Sequence, residues 1–259
     1  MKTLCTTMLI CSFALASPAT LASPAIGRLA ELGDERAREV LDDVQRLSGL
    51  REYDRAMSLF ELVKEHNEEA IESIDGLKMA VVKAVAASRE EHLAHSRWLL
   101  AQFPDPELAT DAERAVKGYV LVPWADDADL IAAAVERCRF AVEQATDAGE
   151  AGYLPWFHGS YGMALYRAGE FEAAAESLAK SKDDESPFIS SLTLAYHAMA
   201  EHQNGNAEAA RESLEAARAL VNAFPEPGSE HYQEEWTDIL MSTMALEEAE
   251  ELLARIFHE

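Results

Sequence analysis

Few residues in this chain have the type and spacing to do chemistry. The segment "EEHLAH" at Glu90–His95 sets His92 and His95 three apart, on one face of a helix. Two imidazoles so placed suggest a metal. The zinc-protease pattern, however, needs His-Glu-x-x-His, and no third ligand stands at a suitable distance along the chain. These two histidines therefore read as surface groups beside glutamates, and no metal or cofactor is called for. His197 and His202 are five apart and do not share a helical face. "EEAEE" at Glu247–Glu251 reads as a solvated helix face. The sequence has no Gly-x-Ser-x-Gly, no phosphate loop, no dinucleotide fingerprint and no Cys-x-x-Cys. No catalytic set emerges, so the expectation is a protein that is not an enzyme.

Cysteine chemistry is equally sparse. Cys5 and Cys11 lie in the first 25 residues, which have the anatomy of a secretory signal peptide: one Lys, an apolar run without acids, then small residues. Cleavage would follow Ala16, Ala22 or Ala25. The expected location is periplasmic or secreted. Only Cys138 would remain, on the apolar side of "AAAVERCRFAVEQA" with Val135 and Val142, and it reads as a small buried hydrophobe. The four tryptophans (Trp98, Trp124, Trp156, Trp236) fall on apolar stripes or helix ends, where packing is the default.

Bulk properties narrow the partners. A net charge of −25 opposes binding to nucleic acid, which needs clustered Lys and Arg to release counterions. It opposes an anionic membrane surface for the same reason, and no segment after the first 25 residues is apolar enough for stable membrane insertion. The charge is uneven, with 17 acids and 11 bases in residues 26–105 against 30 acids and 10 bases in 106–259. A basic partner segment is one reading of that excess. Solubility or a salty habitat is the other.

The elements that must position these residues are helices throughout, because Ala, Leu and Glu dominate and β-branched residues are sparse. Periodicity and breakers predict helices over 26–50, 53–66, 77–88 and 90–103, with Asp75-Gly76 as a break. "FPDPE" at Phe103–Glu107 marks the boundary between an N-terminal part, 26–105, and a second part, 106–259. There helices are predicted over 110–122, 126–145, 153–168, 170–181, 188–204, 207–223 and 230–257. Short Gly or Asp turns between helices imply antiparallel hairpins, and a succession of hairpins stacks as a solenoid.

One internal echo supports stacking. "AGEFEAAAESLAKS" at Ala168–Ser181 matches "NGNAEAARESLEAA" at Asn204–Ala217 at an offset of 36 residues. Gly169 and Gly205 are expected to turn the chain through a left-handed conformation. Ala164 and Ala200, with Ala174 and Ala210, allow paired helices to approach closely, and Leu178 and Leu214 fill the space beneath.

The pattern resembles the tetratricopeptide repeat (TPR), through Gly162, Ala164, Tyr166, Gly169, Phe171, Ala174, Leu178 and Pro187, then Ala200, Gly205, Ala210, Leu214 and Ala217. His158 stands where the family has Trp or an apolar residue, and Ala207 replaces an aromatic. The stretch from about Ser88 to Leu253 is similar to the TPR-like helical region of planctomycete-type bacterial proteins. This resemblance implies an all-α, right-handed solenoid that binds a protein or peptide on its concave face. On that face Met163 matches Met199, Tyr166 matches His202 and Arg167 matches Gln203, and these six are the candidate partner-binding residues. The alternatives are an accessory or assembly subunit packing through its helix ends, and an enzyme of unrecognised type.

Overall fold

The computed structural model describes residues 33–104 and 107–254. The candidate signal peptide and the end of the last predicted helix lie outside the described residues. Within them the protein is all-α, with no strand. The helices are α1 (Asp34–Gly49), α2 (Tyr53–His66), α3 (Ser73–Ala86), α4 (Arg89–Gln102), α5 (Ala109–Val120), α6 (Ala128–Ala148), α7 (Leu154–Arg167), α8 (Phe171–Leu178), α9 (Pro187–Gln203), α10 (Ala207–Val221) and α11 (Glu230–Ala254). A 3-10 turn at Glu68–Ala70 links α2 to α3.

Local chemistry sets several helix ends. Ser88 and Glu91 form a reciprocal capping box at the start of α4. The Asp127 carboxylate accepts from the amides of Asp129 and Leu130 at the start of α6. Gly149 closes α6 with φ +72°. The two aligned glycines behave as their spacing predicts: Gly169 has φ +81° and Gly205 φ +80°.

The predicted break at Asp75-Gly76 is corrected by the structure. Helix α3 starts at Ser73 and runs through both residues, because Asp75 is the third residue of a capping box and its carboxylate accepts from the Glu72 amide. Gly76 permits a close approach rather than a turn. A Cβ there would lie 2.3 Å from Leu99 Cδ1 of α4.

Each odd-numbered helix packs against the even-numbered helix that follows it, from α1·α2 to α9·α10. The odd helices also touch in series: α1 with α3, α3 with α5, α5 with α7, α7 with α9 and α9 with α11. Helix α11 then reaches back to α1 and α3, so the series closes on itself. Gly49 at the end of α1 makes this possible, since a Cβ there would lie 3.2 Å from both Gln233 O and Trp236 Cδ1 of α11. One apolar cluster runs from Ala37 to Leu253, and α5 packs on α3 and α4 across the connection at 103–108. Cys138 is buried in that cluster, where loss of solvent pushes its thiol pKa up.

Candidate functional site

The six predicted partner-binding residues separate into two groups. Met163 and Met199 are fully buried, so they present nothing to a partner. Arg167 is committed inside the protein. Its Nη1 and Nη2 grip Glu248 of α11 at 2.5 and 2.6 Å, and its Nε donates to Val120 O at 2.8 Å. Nη2 also reaches the Tyr196 hydroxyl at 2.8 Å. The cause is α11, which packs along α9 and brings Glu248 to Arg167. Tyr166 is half-buried against Phe171 and Tyr196, with the Gln203 side chain beside its hydroxyl. His202 is half-buried and Gln203 exposed. The solvated reading of Glu247–Glu251 is corrected in the same place, because Glu248 turns inward to Arg167 with 13% of its side chain exposed.

His92 and His95 are not surface groups: both rings are buried. His92 Nε2 bonds Gly118 O at 3.1 Å, and His95 Nε2 bonds Gly76 O at 2.9 Å. Carbonyl acceptors require the Nε2–H form, and Nδ1 of each ring is buried without a partner. Burial lowers the pKa of His92 to about 4 and of His95 to about 3, against the pull of the carbonyl bonds. The rings pack among Phe60, Trp98, Tyr119 and Trp124. Each ring thus bonds one helix carbonyl, that of Gly118 in α5 or of Gly76 in α3, from within an apolar wall.

A cleft of about 280 Å³ opens between α3, α5, the start of α7 and α11. Ile74 and Leu77 of α3, Phe157 of α7 and Met241 of α11 form its apolar lining. At the base, Lys117 and Glu113 make an ion pair of 2.9 Å with both side chains almost fully buried. Lys117 Nζ also lies 4.6 Å from the centre of the Trp156 ring, and Ser160 Oγ donates to Glu113. The charges of this base are matched to each other.

The walls are different. Asp238 and Glu235 of α11 face the cleft, as do Lys78 of α3 and Arg114 of α5, yet none of the four has a hydrogen bond or ion pair with a described residue. Asp238 feels the cost most. Burial raises its pKa, Glu235 and Glu113 push the same way, and Lys117 and Lys78 oppose them. At the mouth stand Glu234, which binds His231, and Tyr153, half exposed and stacked on Phe157 at 6.0 Å. The cleft thus offers separated charges of both signs above an apolar surface.

This cleft is not legible in the sequence as a whole. One signal was present on α5, where Glu113 and Lys117 interrupt the apolar stripe of Ala109, Ala112, Val116 and Val120. Charges at core-facing positions must be paired or serve a site. Asp238 and Lys78 carried no such mark, because their convergence depends on α11 returning to α3. Compared with protein families, with curated proteins and with solved structures, the chain matches none of them.

Proposed function

We propose that this chain is a non-catalytic, TPR-like scaffold, exported from the cytoplasm, that binds a peptide or protein partner. Its helices form antiparallel hairpins stacked as a right-handed solenoid, with α11 as the closing helix. Support for the repeat comes from the matched φ of Gly169 and Gly205 and from the complete burial of Ala164, Ala174 and Ala200 at helix contacts. A Cβ on Gly162 would meet Leu178 Cγ at 2.4 Å, a close approach within one hairpin.

The observation that carries the binding reading is the cleft of α3, α5, α7 and α11, with uncommitted charges over an apolar lining. It takes the place of the face first expected around Met163 and Arg167. Convergent polar groups on an apolar concavity are the general form of a binding site. A photoreactive benzoylphenylalanine placed at Tyr153, on the mouth, tests it. Irradiation with extract of the source cells is expected to give discrete adducts at position 153 and none with the same group at Phe140, an exposed residue of α6 outside the cleft. Equal labelling at both positions, or none at 153, rejects the cleft as the binding site.

A further inference from the structure

We infer that the cleft recognises a free α-ammonium group carried on an apolar residue: the N-terminal residue of a peptide, or a free amino acid. The inference rests on the cleft being the binding site and names what it takes. Three observations lead there. First, one of the uncommitted charges on the wall is a carboxylate with a second carboxylate near it. Asp238 is mostly buried, holds no hydrogen bond or ion pair with a described residue, and has a second carboxylate, Glu235, beside it. An uncompensated buried charge is costly, and an entering cation with N–H donors offsets that cost. Second, the cleft's own lysines do not meet the need. Lys117 is held by Glu113 and Trp156, and Lys78 stands beyond ion-pair distance of Asp238. Third, the apolar lining of Leu77, Phe157 and Met241 adjoins that carboxylate, so an ammonium arriving with an apolar side chain satisfies both surfaces at once.

Size and the remaining charges complete the match. A volume of about 280 Å³ lies just below the range of roughly 300–1,000 Å³ that drug-sized ligands occupy, which suits a single residue. Lys78 and Arg114 face the position of the ligand's carbonyl or carboxylate. They receive a free amino acid's carboxylate as a charge and a peptide's first carbonyl as a hydrogen-bond acceptor. The ammonium contact is therefore common to both sources, and the carboxylate contact separates them.

Isothermal titration calorimetry of the full chain at neutral pH tests this with four probes: phenylalanine, phenylalaninamide, N-acetylphenylalanine and Phe-Gly-Gly. Probes with a free amine are expected to bind, and acetylation is expected to weaken binding on the order of 100-fold, the effect of removing one member of a buried charge pair. Tighter binding of phenylalanine than of its amide or the tripeptide identifies the free amino acid as ligand. Equal or tighter binding of Phe-Gly-Gly identifies a peptide N-terminus. Asp238→Asn, an isosteric change, is expected to abolish the preference for the free amine while its circular dichroism melt stays cooperative. Lys78→Gln is expected to weaken phenylalanine and spare phenylalaninamide. Binding of N-acetylphenylalanine as tight as that of phenylalanine overturns the ammonium assignment, and so does the absence of saturation with all four probes. Adducts at position 153 together with either of those results leave the cleft standing and remove only its ligand class.

Discussion

Acid should destabilise this protein through His92 and His95 before its carboxylates titrate. Both imidazoles are neutral in the fold, with pKa values of about 4 and about 3, whereas an unfolded-chain histidine titrates near 6.5. Below that value the unfolded state takes up protons that the folded state refuses, so stability falls with pH until the folded values are reached. At about pH 5 the unfolded histidine is roughly 30-fold favoured by protonation and the folded one hardly at all, which is about 2 kcal/mol per residue. The pair together costs about 4 kcal/mol, a large share of the 5–15 kcal/mol typical of a domain. The net charge of −25 works in the opposite direction, since self-repulsion eases as pH falls. The decisive comparison is therefore with His92→Gln plus His95→Gln, which keeps an amide donor for Gly118 O and Gly76 O but does not titrate. Urea unfolding at about pH 7 and about pH 5 should show the wild type losing several kcal/mol and the double variant losing far less. Equal losses in the two proteins would falsify the assignment of buried neutral rings.

Three further outcomes follow from particular contacts. Glu248→Ala strands the Arg167 guanidinium inside the protein and should cost about 3–5 kcal/mol in urea unfolding, while Arg167→Met with Glu248→Leu recovers most of it; a loss under about 1 kcal/mol from Glu248→Ala would refute a committed pair. Asp238→Asn removes an uncompensated carboxylate and should raise stability by about 1 kcal/mol at neutral pH. Because the Asp238 pKa is raised in the fold, the wild type recovers as it protonates, so the gap between the two melts should narrow as pH falls. Gly118→Ala is favourable for an isolated helix but puts a methyl 2.5 Å from Ala80 Cβ, which has no rotamer to move to, so α3 and α5 must part; about 1–3 kcal/mol should be lost on melting.

Helix content and most helix limits were legible in the sequence because they depend on neighbours in the chain. Ala-, Leu- and Glu-rich stripes, Ser88 with Glu91, and Gly169 and Gly205 each act within a few residues. Where a local signal had two meanings, tertiary contact chose between them. Gly76 reads as a breaker alone and as a contact surface once Leu99 lies on it. His92 and His95 read as surface groups alone and as buried donors once α3 and α5 present carbonyl oxygens to them.

The candidate site belongs wholly to that second kind. Met163 and Met199 are buried in the core, and Arg167 is taken by Glu248 of α11, so none of the three is left for a partner. The same helix carries Asp238 and Glu235 to Lys78 and Arg114, across more than a hundred positions of sequence. By itself the sequence determined a chain of amphipathic helices with a 36-residue echo, since helix propensity and turn chemistry are local. Only the tertiary structure decided which face is buried and where charges meet without pairing, because those depend on how far the last helix travels back toward the first.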